Sequence, residues 1–219
     1  MINGDWNTSE LDEDWITALK YVDHFIITPG PVSSEISRSL STSFTEQQIS
    51  ELSIGVALFH GFSKMLIGLG REPEEMEITV VPTPHLPDTA LVSNRKSHHD
   101  FSHLFTYIHE IGSRWIILER SLLSMDALPK RVLDLVKRRI SEVLGVTHLT
   151  TSIDDTCSEH DEFIRGIAEN FVFDIRSITS STRERITGIY GSDAVLQLMF
   201  AMALYDGIFR MEASKINYS

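Results

Sequence analysis

Apolar side chains recur at helical spacing along most of this chain. Residues 14–27, for example, place Trp15, Leu19, Val22 and Ile26 three or four residues apart, which is typical of one face of an α-helix. The same pattern predicts further helices at about 32–42, 45–70, 101–124, 129–144, 147–157, 160–176, 179–189 and 192–213. The chain is therefore predicted to be all-α.

Two of the predicted helices lack a polar face. The third helix opens with a capping box formed by Thr45 and Gln48, and its middle, residues 54–59, is apolar on nearly every side. The last helix, 192–213, is also apolar nearly all round. Helices of this kind are buried on all sides, so we expect both at the centre of the fold.

The segment 71–100 interrupts the helical pattern. It starts with an acidic stretch and contains Pro82, Pro84 and Pro87, which break regular elements. We interpret it as a connecting arm that lies over the surface or over a neighbouring subunit. The predicted organisation is a partial helical repeat at 1–70, the arm at 71–100 and a complete helical unit at 101–219.

An internal similarity links the two helical parts. Shifting the sequence by 146 aligns 22–65 with 168–211 without a gap, and Lys64 then meets Arg210. Leu52, Ala57, Leu58, Gly61 and Met65 meet identical residues at Leu198, Ala203, Leu204, Gly207 and Met211. Any two buried helices share some apolar positions, but a match that includes a glycine and a cation favours a duplicated helical segment.

Composition and charge disfavour several classes of binding partner. The 219 residues are 42% apolar and carry a net charge of −12, a balance that disfavours nucleic acid and anionic lipid as partners. No apolar run approaches the roughly 18–20 residues of a membrane span, and the acidic N-terminus does not resemble a signal peptide. We expect a cytoplasmic protein without a membrane partner.

Five basic residues form a cluster in the sequence: Lys130, Arg131, Lys137, Arg138 and Arg139. We interpret this cluster as a solvated helix face or as an oligomer contact paired with acids.

The segment Ala127–Gly145 (ALPKRVLDLVKRRISEVLG) resembles the signature helix of the carboxymuconolactone decarboxylase and alkylhydroperoxidase D-like family. Phe44–Gly70 and Gly191–Ala213 both resemble the closing helix of that fold. The resemblance covers about 101–215 as a full unit and 14–70 as the second half of another. It implies an alkylhydroperoxidase D-like helical bundle that assembles as a homodimer or, as a trimer of dimers, a hexamer.

The peroxidases of that family carry a Cys-x-x-Cys pair directly after the glycine, with a glutamate before it and a histidine after it. Here Val146 and Leu149 stand at the two cysteine positions, Ile153 replaces the histidine, and Asp134 replaces the glutamate. The single cysteine, Cys157, has no partner thiol for dithiol chemistry. The resemblance therefore implies a member without peroxidase activity.

His148 keeps its place in this degenerate motif, and it forms a candidate catalytic pair with Asp134. A carboxylate can orient an imidazole and raise its pKa, which would give a general base near neutral pH. We expect either a cofactor-free acid–base enzyme acting on a small carbonyl or lactone metabolite, or a non-catalytic oligomeric binding or scaffold protein with a decayed site.

Two further groups of polar residues are candidates for binding. His60 and Asp206 occupy matching positions of the two similar segments, and each precedes a glycine on an apolar helix. They face either a shared ligand pocket or a packing contact. The residue types of a metal site occur at His98, His99, Asp100 and His103, but no third ligand is fixed by spacing, so no metal site is predicted.

Overall fold

A computed structural model of the protein describes residues 10–71, 101–146, 158–214 and 216. These residues form eight α-helices: α1 (Glu13–Ile27), α2 (Ser34–Ser43), α3 (Glu46–Gly68), α4 (His109–Ser124), α5 (Lys130–Val143), α6 (Glu159–Phe173), α7 (Ser180–Tyr190) and α8 (Ser192–Ser214). Two short 3₁₀ turns, Ser102–Phe105 and Ile175–Ser177, complete the regular structure. No strand occurs in these ranges, which confirms the all-α prediction. The connecting arm beyond residue 71, the predicted helix at 147–157 and Cys157 lie outside the described residues.

Two of the described helices begin with a capping box. The predicted capping box of α3 is present. The Thr45 side chain accepts a hydrogen bond from the backbone N–H of Gln48, and the Gln48 side chain accepts one from the backbone N–H of Thr45. Ser158 and Asp161 form a second capping box at the start of α6. The helix predicted at 101–124 is wrong in its first part, because the 3₁₀ turn precedes α4 there.

Two groups of three helices match in order and length. We call α1–α3 the first triplet and α6–α8 the second triplet. Adding 146 to the bounds of α1 gives those of α6, and adding it to the bounds of α3 gives those of α8. For α2 and α7 the bounds agree within one residue.

The two triplets meet along α3 and α8, which pack against each other more extensively than any other described pair of helices. A Cβ atom on Gly61 would overlap the carbonyl oxygen of Ala203, and one on Gly207 would lie 2.6 Å from the carbonyl oxygen of Ala57. Since Ala57 and Ala203 are themselves matching positions, the contact is reciprocal. Glycine allows the two helix backbones to approach this closely.

Helices α4 and α5 belong to the second half of the chain and cover α8. All five residues of the predicted basic cluster are on α5, and four of them pair with acids: Arg131 with Asp161, Lys137 with Glu119, Arg138 and Arg139 with Glu142, and Arg139 also with Glu169. By length and composition α8 could cross a membrane, but it is almost wholly buried inside the protein, as a core helix is.

The prediction that the middle of α3 is buried holds for Ile54 and Ala57 and is wrong for Phe59. Phe59 is 80% exposed, whereas the matching Tyr205 on α8 is 1% exposed. Trp15, which the apolar pattern placed on the packing face of α1, is 64% exposed, and the buried residues of α1 are Tyr21 and Phe25. The cause is that no described helix covers α3 in the way that α4 and α5 cover α8.

Candidate functional site

Four polar side chains meet where α3 crosses α8. The Asp206 carboxylate accepts from Lys64 Nζ at 3.0 Å through one oxygen and from Arg210 Nε at 2.9 Å through the other. His60 Nε2 lies 3.4 Å from Asp206 Oδ2. All four side chains are buried. We call His60, Lys64, Asp206 and Arg210 the inter-triplet cluster.

The two cations also reach the ends of helices in the opposite triplet. Lys64 Nζ donates to the carbonyl of Val172 near the end of α6, and Arg210 Nη1 donates to the carbonyls of Phe25 and Ile26 near the end of α1. The last carbonyls of a helix have no partner within it and carry a partial negative charge, so a cation stabilises them. Because Ile26 and Val172 also match after the 146-residue shift, this contact is reciprocal as well.

Burial and mutual charge shift the protonation of the cluster. Burial lowers the pKa of Lys64 to about 8 despite the neighbouring Asp206. Burial would raise the pKa of Asp206, but the charges of Arg210 and Lys64 outweigh it, and that pKa lies well below the usual value. Burial, followed by the charges of Lys64 and Arg210, lowers the pKa of His60 well below its usual value. At neutral pH the cluster therefore holds two cations, one carboxylate and a neutral imidazole.

His60 and Asp206 are thus brought together as neighbours. Both oxygens of Asp206 already accept bonds from protein cations. His60 Nε2 is buried without a hydrogen-bond partner among the described residues, because its approach to Asp206 lacks hydrogen-bond geometry. These contacts favour a structural role for the pair, and the ligand-binding role remains a prediction.

Asp134 belongs to a second polar cluster, formed by α4, α5 and α8. Lys137, one helical turn after Asp134, has its Nζ 3.4 Å from Glu119 Oε1, and the Tyr205 hydroxyl donates to the same oxygen at 3.4 Å. The Lys137 ammonium lies 5.1 Å from the ring centroid of Tyr205 and also 5.1 Å from that of Phe101. We call Glu119, Asp134, Lys137 and Tyr205 the α4–α5–α8 cluster.

The α4–α5–α8 cluster combines partly exposed acids with a buried phenol. Burial raises the pKa of Tyr205, and the charges of Glu119 and then Asp134 raise it further, so this hydroxyl stays protonated. Glu119, Asp134 and Lys137 are all half-buried. The arrangement therefore offers two carboxylates that can accept a proton, an ammonium that can stabilise negative charge and a neutral hydrogen-bond donor.

The remaining candidate residues of the sequence belong to neither cluster. His148 lies outside the described residues, as do His98, His99 and Asp100, while His103 bonds to Glu212 on α8. A surface groove of about 540 Å³ near the start of α3 contains none of the predicted site residues; it is lined by Ser41, Phe44, Thr45, Glu46, Gln47, Ile49 and Tyr107.

Comparison of the chain with protein-family models, with curated proteins and with solved structures gives no match. The resemblance to the carboxymuconolactone decarboxylase and alkylhydroperoxidase D-like family therefore stays a prediction.

Part of each cluster is not apparent from the sequence. Lys64 and Arg210 align as matching cations, and each follows a polar residue of the cluster by one turn, so the spacing places His60 with Lys64 and Asp206 with Arg210 on one face of each helix. No such signal existed for Glu119 or Tyr205, because their proximity to Lys137 depends on how three helices pack.

Proposed function

We propose that this chain is a carboxymuconolactone decarboxylase-like protein without peroxidase activity, which performs cofactor-free acid–base chemistry on a small carbonyl or lactone metabolite in the cytoplasm. The α4–α5–α8 cluster is the observation that carries the proposal. It contains Asp134, a predicted catalytic residue, together with a second carboxylate and an ammonium. We also propose that the matching triplets arose by duplication of one helical segment.

The chemistry requires only groups that the cluster supplies. A carboxylate such as Asp134 would take up a proton from the carbon next to the substrate carbonyl. The electron pair of the broken C–H bond would form a carbon–carbon double bond, the π pair of the carbonyl would move onto its oxygen, and the carboxylic acid would return the proton in the following step. Lys137 would stabilise the negative charge that develops on the carbonyl oxygen. His148 remains the predicted partner of Asp134, eleven residues beyond Lys137 in the chain.

A thermal-shift screen with aromatic acids and lactones tests this function. A ligand at one hundred times its Kd stabilises the folded state by about 2.7 kcal/mol, which raises the Tm of a chain of this size by roughly 5–10 °C. We expect such a shift for the wild-type protein, its loss in Asp134→Asn, and its retention in Asp126→Asn, which removes an exposed carboxylate between α4 and α5. Equal shifts in both variants, or no stabilising compound, would contradict the proposal.

A second candidate is a non-catalytic oligomeric binding or scaffold protein. The observation that favours it is the inter-triplet cluster, whose charges bond to one another and to helix ends in the core rather than to a site open to solvent. An empty screen combined with a stable oligomer in solution is the result expected for this candidate.

A further inference from the structure

The first triplet carries an exposed apolar surface on its outer side. Trp15 on α1 is 64% exposed, and on α3 Phe59 and Leu66 are 80% and 47% exposed. Leu19, one turn after Trp15, is half-buried. We call Trp15, Leu19, Phe59 and Leu66 the α1–α3 outer face. Large apolar side chains grouped in this way mark interaction surfaces rather than ordinary solvent contacts.

The matching positions of the second triplet show what such a surface does. Adding 146 converts the four residues into Asp161, Arg165, Tyr205 and Glu212. Each of these contacts the segment 101–143, which covers the second triplet. The four contacts are Asp161 with Arg131, Arg165 with Glu142, Tyr205 with Glu119, and Glu212 with His103.

At each of these four positions the first triplet has an apolar residue and the second triplet has a polar one. In the second triplet these positions form ion pairs or hydrogen bonds with helices of the same chain. In the first triplet no described helix occupies the equivalent place. Apolar residues at four such positions would cost solubility if the face stayed in water, so we infer that another surface covers it.

We propose that the α1–α3 outer face binds the same face of a second copy of this chain, as a two-fold symmetric dimer. Charge favours this occupant. The chain carries a net charge of −12, so two copies repel each other over most of their surface, whereas none of the four residues of this face is charged. A two-fold contact needs a self-complementary patch, and an uncharged apolar patch meets that requirement.

The spacing along α3 supports helix-to-helix contact across the two-fold axis. Leu52, Phe59 and Leu66 are seven residues apart, and Val56 lies between the first two on the same side. An apolar side chain every seven residues keeps one edge of a helix facing a partner helix. This inference is independent of any catalytic role of Asp134.

Light scattering coupled to size exclusion, at micromolar concentration, tests the proposal. The wild-type chain should have twice its 24.8 kDa monomer mass. Phe59→Glu and Leu66→Glu should be monomers of unchanged helicity, because each introduced charge enters the interface twice. We expect dimer affinity to fall at least about thirtyfold in each.

Ile117→Glu is the matched control, since Ile117 on α4 is 63% exposed and lies outside the proposed face. It should leave the dimer intact. A monomeric wild-type chain would overturn the proposal. If Phe59→Glu then also lowered the Tm more than Ile117→Glu does, a segment of the same chain outside the described residues would be the occupant. A Phe59→Glu dimer, or equal dissociation by Ile117→Glu, would place the interface elsewhere.

Discussion

The helices α3 and α8 have the same length, the same matched glycine and nearly the same apolar content, but different surroundings. α8 is covered by α4 and α5 in addition to the first triplet, and its side chains from Gln197 onwards are buried except for the half-buried Phe200. α3 is covered on one side and leaves Phe59 and Leu66 exposed. Apolar content thus indicates that a helix will be covered, but not whether the same chain supplies the cover.

A second difference between the triplets lies inside their interface. Lys64 and Arg210 are matching cations with similar bonds to helix ends, whereas His60 and Asp206 are matching residues of different charge. The second triplet therefore supplies the single carboxylate that both cations share. The contacts of the cluster are nearly symmetric, but its charge balance is not, and substitutions should reveal this asymmetry.

The largest effect is expected for Asp206→Asn. It removes the only carboxylate of the inter-triplet cluster and leaves two buried cations facing each other. Removing one partner of a buried ion pair costs about 3–5 kcal/mol, because the remaining charge is uncompensated. Urea denaturation should show this loss in the free energy of unfolding.

The matched control for that loss is Asp193→Asn, which removes an exposed carboxylate from the first turn of the same helix. Its cost should stay within about 0.3–1 kcal/mol, the usual contribution of an acid near a helix N-terminus. Similar losses in the two variants would show that the cluster does not depend on the Asp206 charge.

The next effect is a dependence of stability on pH that comes from Lys64. Its pKa is about 8 in the folded protein and about 10.5 when unfolded, so between these values the unfolded chain binds more protons. Stability therefore rises with pH through this window, by up to about 3 kcal/mol, as the unfavourable buried charge is lost on the folded side. Below pH 8 the full penalty is present.

Lys64→Met removes the titrating group and leaves Asp206 paired with Arg210. Its free energy of unfolding should fall relative to the wild-type value as pH rises from 8 towards 10, because only the wild-type protein gains stability there. The difference between the two proteins isolates Lys64 from other groups that titrate in both. A difference that does not change with pH would mean that Lys64 keeps an ordinary pKa.

Local signals made the helices predictable. The Thr45 and Gln48 capping box, Pro29 and Pro31 after α1, and Gly145 after α5 act on neighbouring residues, so the sequence alone reveals their effect. The match of Lys64 with Arg210 is likewise visible in the sequence. These features need no knowledge of how distant helices pack.

The burial of individual side chains and the contacts between distant helices could not be predicted, because both depend on how the helices pack. Phe59 and Tyr205 occupy equivalent positions in similar sequences, and only the presence of α4 and α5 beside one of them decides which is buried. Glu119 joins Lys137 for the same reason. A pattern of apolar residues specifies a face, whereas the partner of that face is a property of the whole chain or of its assembly.

The smallest effects concern the close approach of α3 and α8. Gly61→Ala and Gly207→Ala each place a methyl group against a backbone carbonyl of the opposite helix, which cannot move without shifting that helix. Overpacking of this kind costs about 1–3 kcal/mol. Because the two contacts are reciprocal, the two variants should lose similar amounts of stability in urea denaturation.

The control is Gly55→Ala on α3, where open space surrounds the new methyl group. This variant should instead gain up to about 1 kcal/mol from helix propensity. A stabilised Gly61→Ala, or a large difference between the two interface variants, would show that the triplets do not meet as equivalents.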